Sequence, residues 1–299
     1  MSSRSVTEEP QRGVSKSLSA ALDEASAMLA RAGIAEARID AELLVGHLLG
    51  LGRGEIQAKV VTGTELSIDQ ADAFARFVER RAAREPLQHI TGVAAFRTLE
   101  LDVGPGVFVP RPETEQVAQY AIDALRASAG ESPLAVDLGT GSGALALALA
   151  AEVPHARVVG VENSPEAFIW ARQNLAKTGL RNARLAFADL AAALPELDGT
   201  VSVVASNPPY IPIDAIPRDP EVRLFDPPAA LYSGVDGLDA VRAVSVTAQR
   251  LLHAGGTLIM EHGELQGAAI RALLGADGWR ALRTLPDLTG RDRATLGLK

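Results

Sequence analysis

The chain has 299 residues and a net charge of −8, with 47% of its residues hydrophobic and 22% charged. This length favours two domains with a sizeable buried core, and the absence of cysteine excludes disulfides and thiolate metal sites. The acidic balance argues against direct nucleic-acid binding, because phosphate recognition usually requires clustered lysines and arginines. The histidines are scattered along the chain, so we predict no bound metal.

The first 16 residues are polar and lack the apolar segment of a signal peptide. No apolar run in the sequence reaches the roughly 18 residues that a membrane-spanning helix needs. We therefore predict a disordered tail over residues 1–16 and a cytoplasmic protein that does not associate with a membrane.

Residues 17–86 have the periodicity of a small helical bundle. Apolar residues recur at helical spacing over 18–29 and again over 39–49, each time with a glycine shortly after. Ser67 and Gln70 form a capping-box pattern that predicts the start of a third helix. The arginines of this segment are typical of a solvated helix face, and they also fit a docking surface for a macromolecular partner. We predict an N-terminal domain that docks the substrate.

Residues 87–112 lack the helical spacing of the preceding segment and predict a β-hairpin that links two domains. Apolar and polar residues alternate over 88–92 and 96–103, and the following Gly-Pro-Gly is a turn signal. Pro112 fits the first position of a helix, with acidic residues in the first turn, where they suit the helix dipole. The second domain therefore spans residues 113–299.

Strands and helices alternate from residue 134 onward. This order predicts a doubly wound, Rossmann-like α/β domain with a mostly parallel sheet covered on both faces. The predicted strands cover 134–138, 157–161, 184–187, 201–206 and 256–261. The predicted helices cover 143–151, 165–178, 240–252 and 265–274.

A glycine-rich loop stands between the first of these strands and the helix after it. Its residues are Gly139, Thr140, Gly141, Ser142 and Gly143. Alternate glycines permit a tight turn and close approach of the backbone to a ligand. Glu162 ends the next strand, where a carboxylate can accept the ribose hydroxyls of an adenosine group. NAD and S-adenosylmethionine both fit, and the G-x-G-x-G spacing favours S-adenosylmethionine over a dinucleotide.

Asp189 follows the third strand of the predicted sheet. An acid at this place can meet the exocyclic amine of an adenine. An Asp at a strand end also serves as a helix N-cap, which would give it a structural role. The sequence leaves both interpretations open.

Asn207, Pro208, Pro209 and Tyr210 follow a buried strand. An amide or aniline-like nitrogen is a poor nucleophile, because its lone pair is delocalised. The Asn207 side-chain oxygen and the Pro208 carbonyl can each accept one N–H of an NH₂ group, which aims the lone pair at a methyl donor. The prolines keep the loop rigid, and Tyr210 offers a flat face to a planar group. We predict that Asn207, Pro208 and Tyr210 are catalytic, that all four residues bind substrate, and that Asn207 also borders the cofactor.

These motifs resemble the HemK/PrmC family of protein-(glutamine-N5) methyltransferases. The resemblance extends from residue 85 to the C-terminus, and its most discriminating segment is Pro-Arg-Pro-Glu-Thr-Glu at 110–115. It also includes the ranges 85–92, 139–143, 207–211, 225–231, 261–263 and 292–297.

The resemblance implies a class I methyltransferase that acts in translation termination. Its substrates would be class 1 peptide chain release factors, methylated on the glutamine of their Gly-Gly-Gln motif, with S-adenosyl-L-methionine as donor and S-adenosyl-L-homocysteine as product. Residues 139–143 and Glu162 would bind the donor, Leu190 would flank its adenine, and residues 207–210 would hold the glutamine. We also expect a monomer.

Several points remain open from the residues alone. The Asn-Pro-Pro-Tyr motif is shared with adenine-N6 and some guanine-N2 methyltransferases, so a nucleic-acid acceptor is one alternative, and a non-catalytic nucleotide-binding module is another. Glu261 and His262 end a strand, where we expect a structural role, because the methylated amide loses its proton readily to water. Arg111 either orders the glycine loop or pairs with Glu113.

Overall fold

The computed structural model describes residues 15–299, which divide into two compact units with a boundary between Thr91 and Gly92. This boundary falls inside the predicted linker. The predicted tail lies mostly outside the described residues, and Lys16 at its end belongs to a short strand. None of the helices within residues 15–299 is long and apolar enough to cross a membrane.

The first unit is a helical bundle around one apolar core. Its helices are α1 (Leu18–Arg31), α2 (Ala37–Leu49), α3 (Arg53–Val61), α4 (Ile68–Ala82) and α5 (Leu87–Thr91), and its strands are β1 (Lys16–Ser17) and β2 (Glu65–Leu66). Leu22, Leu44 and Phe74 lie in the core, as the helical spacing predicted. The capping box is also confirmed: the Ser67 hydroxyl accepts from the Gln70 amide, and the Gln70 side chain accepts from the Ser67 amide.

This unit differs from the sequence prediction at three places. Helix α3 and the β1–β2 pair were not predicted. Residues 88–92, predicted as a strand, lie almost entirely within α5. The Pro86 carbonyl accepts hydrogen bonds from the amides of His89 and Ile90 and so starts a helical turn. The strand prediction was wrong because this local hydrogen bonding outweighs a short run of alternating residues.

The second unit contains a β-hairpin and a seven-stranded sheet. The hairpin lies inside the predicted range 87–112, but its turn falls within the segment 96–103 that was predicted as one strand. Its strands are β3 (Val93–Phe96), β4 (Leu99–Asp102), β5 (Leu134–Leu138), β6 (Arg157–Glu162), β7 (Ala183–Phe187), β8 (Val201–Ser206), β9 (Leu252–Glu261), β10 (Arg280–Pro286) and β11 (Asp292–Leu298). Its helices are α6 (Pro112–Ala127), α7 (Ala144–Glu152), α8 (Pro165–Thr178), α9 (Pro220–Phe225), α10 (Pro228–Leu231), α11 (Asp239–Leu251) and α12 (Gly267–Ala276), with 3₁₀ turns at Leu190–Ala192 and Pro195–Leu197. Of these, α9, α10, β10 and β11 were not predicted.

The sheet has the order β10-β11-β9-β8-β5-β6-β7. Strands β5 to β9 run parallel, and β11 runs antiparallel to both of its neighbours. Helices α6 and α7 bury Ile122 and Leu147 in a core on one face, while α11 and α12 bury Leu251 and Ile270 in a core on the other. The predicted doubly wound, mostly parallel α/β fold is therefore confirmed.

The strand order reverses at β5, which has β6 on one side and β8 on the other. In an open parallel sheet, the crevice outside the carboxyl ends of the strands at such a point is the usual ligand site. The residues that follow β5 and β8 are the glycine loop and Asn207. The fold therefore brings the two main sequence motifs to one crevice.

Candidate active site

A cavity of about 680 Å³ opens at this crevice. Residues at the carboxyl ends of four parallel strands contribute to its wall: Gly139 after β5, Glu162 in β6, Asn207 after β8 and Glu261 in β9. Tyr210 also lines it. The cavity therefore combines both predicted motifs with acids that were not predicted in the site, among them the buried Glu261.

The glycine loop has the backbone that alternate glycines allow. Gly139, Gly141 and Gly143 have φ values of 76°, 56° and 88°, which non-glycine residues rarely adopt. A Cβ atom added at Gly139 or at Gly141 would meet nothing within 4 Å, so the loop leaves open space on the cavity side. Asp137 braces the loop, because its Oδ2 accepts from the Thr140 hydroxyl at 2.6 Å. Burial raises the pKa of Asp137 to about 7.

Glu162 connects the loop to the next strand. Its Oε2 accepts from the Gly141 amide at 2.8 Å, and its Oε1 accepts from the amides of Asn163 and Ser164, each at 2.9 Å. A carboxylate has about four acceptor positions, so about one remains for a ribose hydroxyl. The open glycine loop beside the fixed Glu162 carboxylate fits an adenosine-containing ligand such as S-adenosylmethionine.

Asp189 and its neighbour Leu190 have different surroundings in the structure. Leu190 lines the cavity, whereas Asp189 is exposed and is not among the lining residues. The Asp189 side chain accepts from the Ala191 amide at 2.8 Å and caps the 3₁₀ turn that begins at Leu190. This is the structural role that the sequence analysis gave as the alternative to an adenine contact.

The loop after β8 presents unused acceptors. Asn207 Nδ2 donates to the Thr114 hydroxyl at 3.3 Å. Within residues 15–299, neither Asn207 Oδ1 nor the Pro208 carbonyl accepts a hydrogen bond. Asn207, Pro209 and Tyr210 line the cavity, while Pro208 is buried and is not among the lining residues.

Neighbouring loops hold this segment in place. Gln266 Nε2 donates to the Tyr210 carbonyl at 2.9 Å. Gly237 packs so closely that a Cβ atom there would lie 2.4 Å from the same carbonyl oxygen. The Tyr210 end of the segment that carries the acceptors is therefore held before any substrate arrives, as catalysis by positioning requires.

Glu261 and His262 have different surroundings. His262 is fully buried, and its two ring nitrogens lie 2.9 Å from the Gly263 carbonyl and from the Thr295 hydroxyl, which agrees with a structural role. Glu261 lines the cavity although it is only 2% exposed. Burial raises the pKa of Glu261 to about 7, against the lowering effect of the nearby Thr114 hydroxyl and the Arg293 guanidinium.

Arg111 pairs with Asp226, a partner that the sequence does not predict. Its Nη2 donates to Asp226 Oδ2 at 2.6 Å, and the Asp226 side chain is fully buried. Burial raises the pKa of Asp226, and Arg111 acts in the opposite direction. Arg111 and the residues just after Asp226 line the cavity, so this ion pair connects two parts of the cavity wall.

Comparison with known proteins agrees with this fold. A model of the PrmC N-terminal domain matches residues 20–92, and a methyltransferase-domain model matches residues 134–279. The fold is also similar to that of a 16S rRNA N2 methyltransferase of T. thermophilus solved with AdoMet and guanosine. That likeness has a TM-score of 0.50 and 22% sequence identity, over 69% of this chain and 49% of that one.

Full-length relatives are more similar. The release factor glutamine methyltransferase of Streptomyces coelicolor is 48% identical over 92% of this chain and 96% of its own length. That of Mycobacterium tuberculosis H37Rv is 40% identical over 93% of this chain and 90% of its own. A 4-amino-L-phenylalanine/4-methylamino-L-phenylalanine methyltransferase of Streptomyces pristinaespiralis is 44% identical over 87% of this chain and 88% of its own.

The fold, the glycine loop and the family models together define an S-adenosylmethionine-dependent methyltransferase with a Rossmann-like catalytic fold. The full-length relatives are 40% to 48% identical over most of their own length and of this chain, so the family within this class can be assigned as well. The chain belongs to the release factor glutamine methyltransferase family.

Proposed function

We propose that this enzyme methylates the side-chain amide nitrogen of the glutamine in the Gly-Gly-Gln motif of class 1 peptide chain release factors. The observation that carries the proposal is the free Asn207 Oδ1 at the cavity, held on a fixed loop next to the glycine loop. The family membership of the chain supplies the class of acceptor.

The residues act by position and by hydrogen-bond acceptance. S-adenosylmethionine supplies an activated methyl group when bound, and Glu162 with residues 139–143 holds it. Asn207 Oδ1 and the Pro208 carbonyl accept the two N–H groups of the glutamine amide, and Tyr210 contacts its plane. The new N–C bond forms as the methyl carbon leaves sulfur. The amide nitrogen then gives its extra proton to water.

A second acceptor class has a specific observation in its favour. The relative from S. pristinaespiralis is named for a free amino acid with an aryl amine, at 44% identity. An aryl NH₂ is planar and has a delocalised lone pair, so the same two acceptors would activate it. The acidic net charge of −8 speaks against a nucleic acid as the acceptor.

The test compares acceptors directly. The full chain is incubated with methyl-labelled S-adenosylmethionine and, separately, a class 1 release factor, the same factor with the Gly-Gly-Gln glutamine changed to alanine, 4-amino-L-phenylalanine, and ribosomal RNA. We expect label only in the unmodified release factor. Label that survives the glutamine change, or that appears only in the free amino acid or the RNA, contradicts the proposal.

Asn207→Ala tests the observation itself. We expect methyl transfer to fall by at least about 100-fold, in the range seen when one preorganised polar contact is lost from an active site. Donor affinity, measured by calorimetry, should stay close to that of the wild type. Asn182→Ala is the matched control: the Asn182 side-chain amide donates to the Ala150 and Ala156 carbonyls, so its loss should lower stability and leave transfer largely intact.

A further inference from the structure

We propose that Asn174 of α8 is a positioning residue for the methyl donor. Its side chain ties the glycine loop to the end of the β3–β4 hairpin, and this tie keeps the loop in the conformation that binds the donor. The inference rests on the donor site of the proposed function and adds a residue outside that site. Asn174 is not among the residues that line the cavity, and it acts through Ser142, which lines it.

Asn174 lies on the buried face of its helix. The buried residues of α8 are Ala167, Ala171 and Asn174, which are spaced by four and three positions and so share one face. Asn174 is fully buried. Burying an amide costs free energy unless its polar atoms find hydrogen-bond partners. An asparagine on this otherwise apolar face therefore indicates a need for specific hydrogen bonds.

The Asn174 amide has three main-chain partners. Its Nδ2 donates to the Ser142 carbonyl at 2.9 Å and to the Asp102 carbonyl at 3.0 Å. Its Oδ1 accepts from the Asp102 amide at 2.6 Å. Both hydrogens of the NH₂ group are thereby used. One side chain thus connects the last residue of β4 to the glycine loop.

The bond to Ser142 holds one peptide group of the glycine loop. The Ser142 carbonyl and the Gly143 amide belong to the same planar peptide group. The Gly143 amide donates to the Thr140 carbonyl at 2.8 Å, while the Ser142 carbonyl accepts from Asn174. The peptide group cannot rotate without losing one of these bonds. Glycines stand on both sides of Ser142 and restrict rotation little, so the restraint has to come from such contacts.

The held peptide group lies next to the donor site. Ser142 lines the cavity, and its own amide donates no hydrogen bond within residues 15–299, so this amide is available to the bound donor. Asp137 and Glu162 hold the first half of the loop, and Asn174 holds the second half. Without Asn174 the donor would have to order that half on binding, which lowers affinity.

The test measures donor binding and turnover separately in the full chain. In Asn174→Ala, we expect the Kd of S-adenosylmethionine, measured by calorimetry, to rise about tenfold, on the scale of one lost buried hydrogen bond. The KM for the donor should rise in the same proportion. At saturating donor, kcat should stay within about twofold of the wild type, because the contacts of Asn174 reach the donor loop and not the acceptor loop.

Asn182→Ala is the matched control. It also removes two bonds from a side-chain amide to main-chain carbonyls, those of Ala150 and Ala156, and none of these three residues lines the cavity. It should lower the melting temperature and keep the wild-type donor Kd. Equal donor Kd values for Asn174→Ala, Asn182→Ala and the wild type overturn the inference.

Hydrogen exchange gives a readout that is independent of activity. Asn174→Ala should speed exchange both in peptides that cover β4 and in peptides that cover the glycine loop, because each segment loses a partner. A side chain that only anchors the hairpin would speed exchange in β4 alone. That result overturns the inference.

Asn174→Asp decides if Asn174→Ala does not fold. The aspartate keeps the acceptor for the Asp102 amide but has no NH₂ group, and it places a carboxylate oxygen against the Ser142 carbonyl. We expect the donor Kd to rise at least about tenfold at pH 8, and a wild-type Kd overturns the inference. If neither variant folds, S-adenosylhomocysteine added to the wild type should slow exchange in β4 as well as in the glycine loop, and no change in β4 overturns the inference.

The outcomes separate this inference from the proposed function. A wild type that binds the donor but labels no release factor contradicts the proposed function and leaves the role of Asn174 standing. A wild type that labels the release factor, beside an Asn174→Ala variant that binds the donor with unchanged affinity, overturns only the role of Asn174.

Discussion

The ion pair between Arg111 and Asp226 leads to a quantitative prediction. Arg111→Met removes the positive charge and keeps much of the apolar stem. Asp226 is then left fully buried with neither oxygen paired to a side chain, since its Oδ1 already has no partner within residues 15–299. Removing one partner of a buried pair usually costs about 3 to 5 kcal/mol. We expect the free energy of unfolding to fall by about 3 kcal/mol at pH 8, the lower end of this range, because the Asp226 carboxyl can take up a proton.

The cost of this change should depend on pH. Arg111 lowers the pKa of Asp226, so its loss raises that pKa further above the ordinary value. A carboxyl of raised pKa disfavours folding when it ionises, so the loss is largest at high pH. Below the new pKa the loss shrinks by about 1.4 kcal/mol per pH unit. At pH 5 about 1 kcal/mol should remain, from the lost hydrogen bond.

The assay is urea unfolding followed by tryptophan fluorescence at pH 5 and pH 8. Both tryptophans of the chain, Trp170 and Trp279, lie in the second unit, so the signal reports the unit that contains the pair. Arg111→Met combined with Asp226→Asn should recover most of the loss at pH 8. An equal loss at both pH values, or a double variant as unstable as the sum of the singles, refutes this reasoning.

Three further outcomes follow from the cavity wall. Glu162→Ala should weaken S-adenosylmethionine binding at least about tenfold by calorimetry, because it removes a ribose acceptor and frees the glycine loop; unchanged affinity contradicts its placement. Gly237 has a φ of 77°, and a Cβ atom added there would lie 2.4 Å from the Tyr210 carbonyl oxygen. Gly237→Ala should therefore lower both the melting temperature and kcat. Asn174→Ala should destabilise the second unit by about 2 to 4 kcal/mol in urea, because it removes a buried hydrogen bond to the Ser142 carbonyl and two part-buried ones to the Asp102 backbone. A loss under about 1 kcal/mol would mean that water replaces the side chain.

The parts of the fold that sequence reasoning predicted are those with a strong local signal. The β5 and β8 strands are mostly apolar and are buried at every position. The β10 strand is mostly exposed along an edge of the sheet and so carries no apolar pattern. Helix α3 buries only Ile56, which leaves no periodic stripe to detect.

The site divides in the same way. The glycine loop and the Asn-Pro-Pro-Tyr segment are contiguous in sequence and could be predicted. Thr114 lies 93 residues from Asn207, and Arg111 lies 115 residues from Asp226. Only the folded sheet brings such residues together, and a single sequence by itself contains no signal of that proximity. Glu261 was visible in a family-like segment, but its burial beside Tyr210 was not.

The reversal of strand order at β5 has an evolutionary consequence. In the proposed function, the groups that hold the methyl donor follow or end strands β5 and β6, whereas those that meet the acceptor follow or end β8 and β9. Substitutions on one side of the reversal can accumulate without disturbing the other. A lineage can thus exchange a large protein target for a small aromatic amine while inheriting its donor pocket intact.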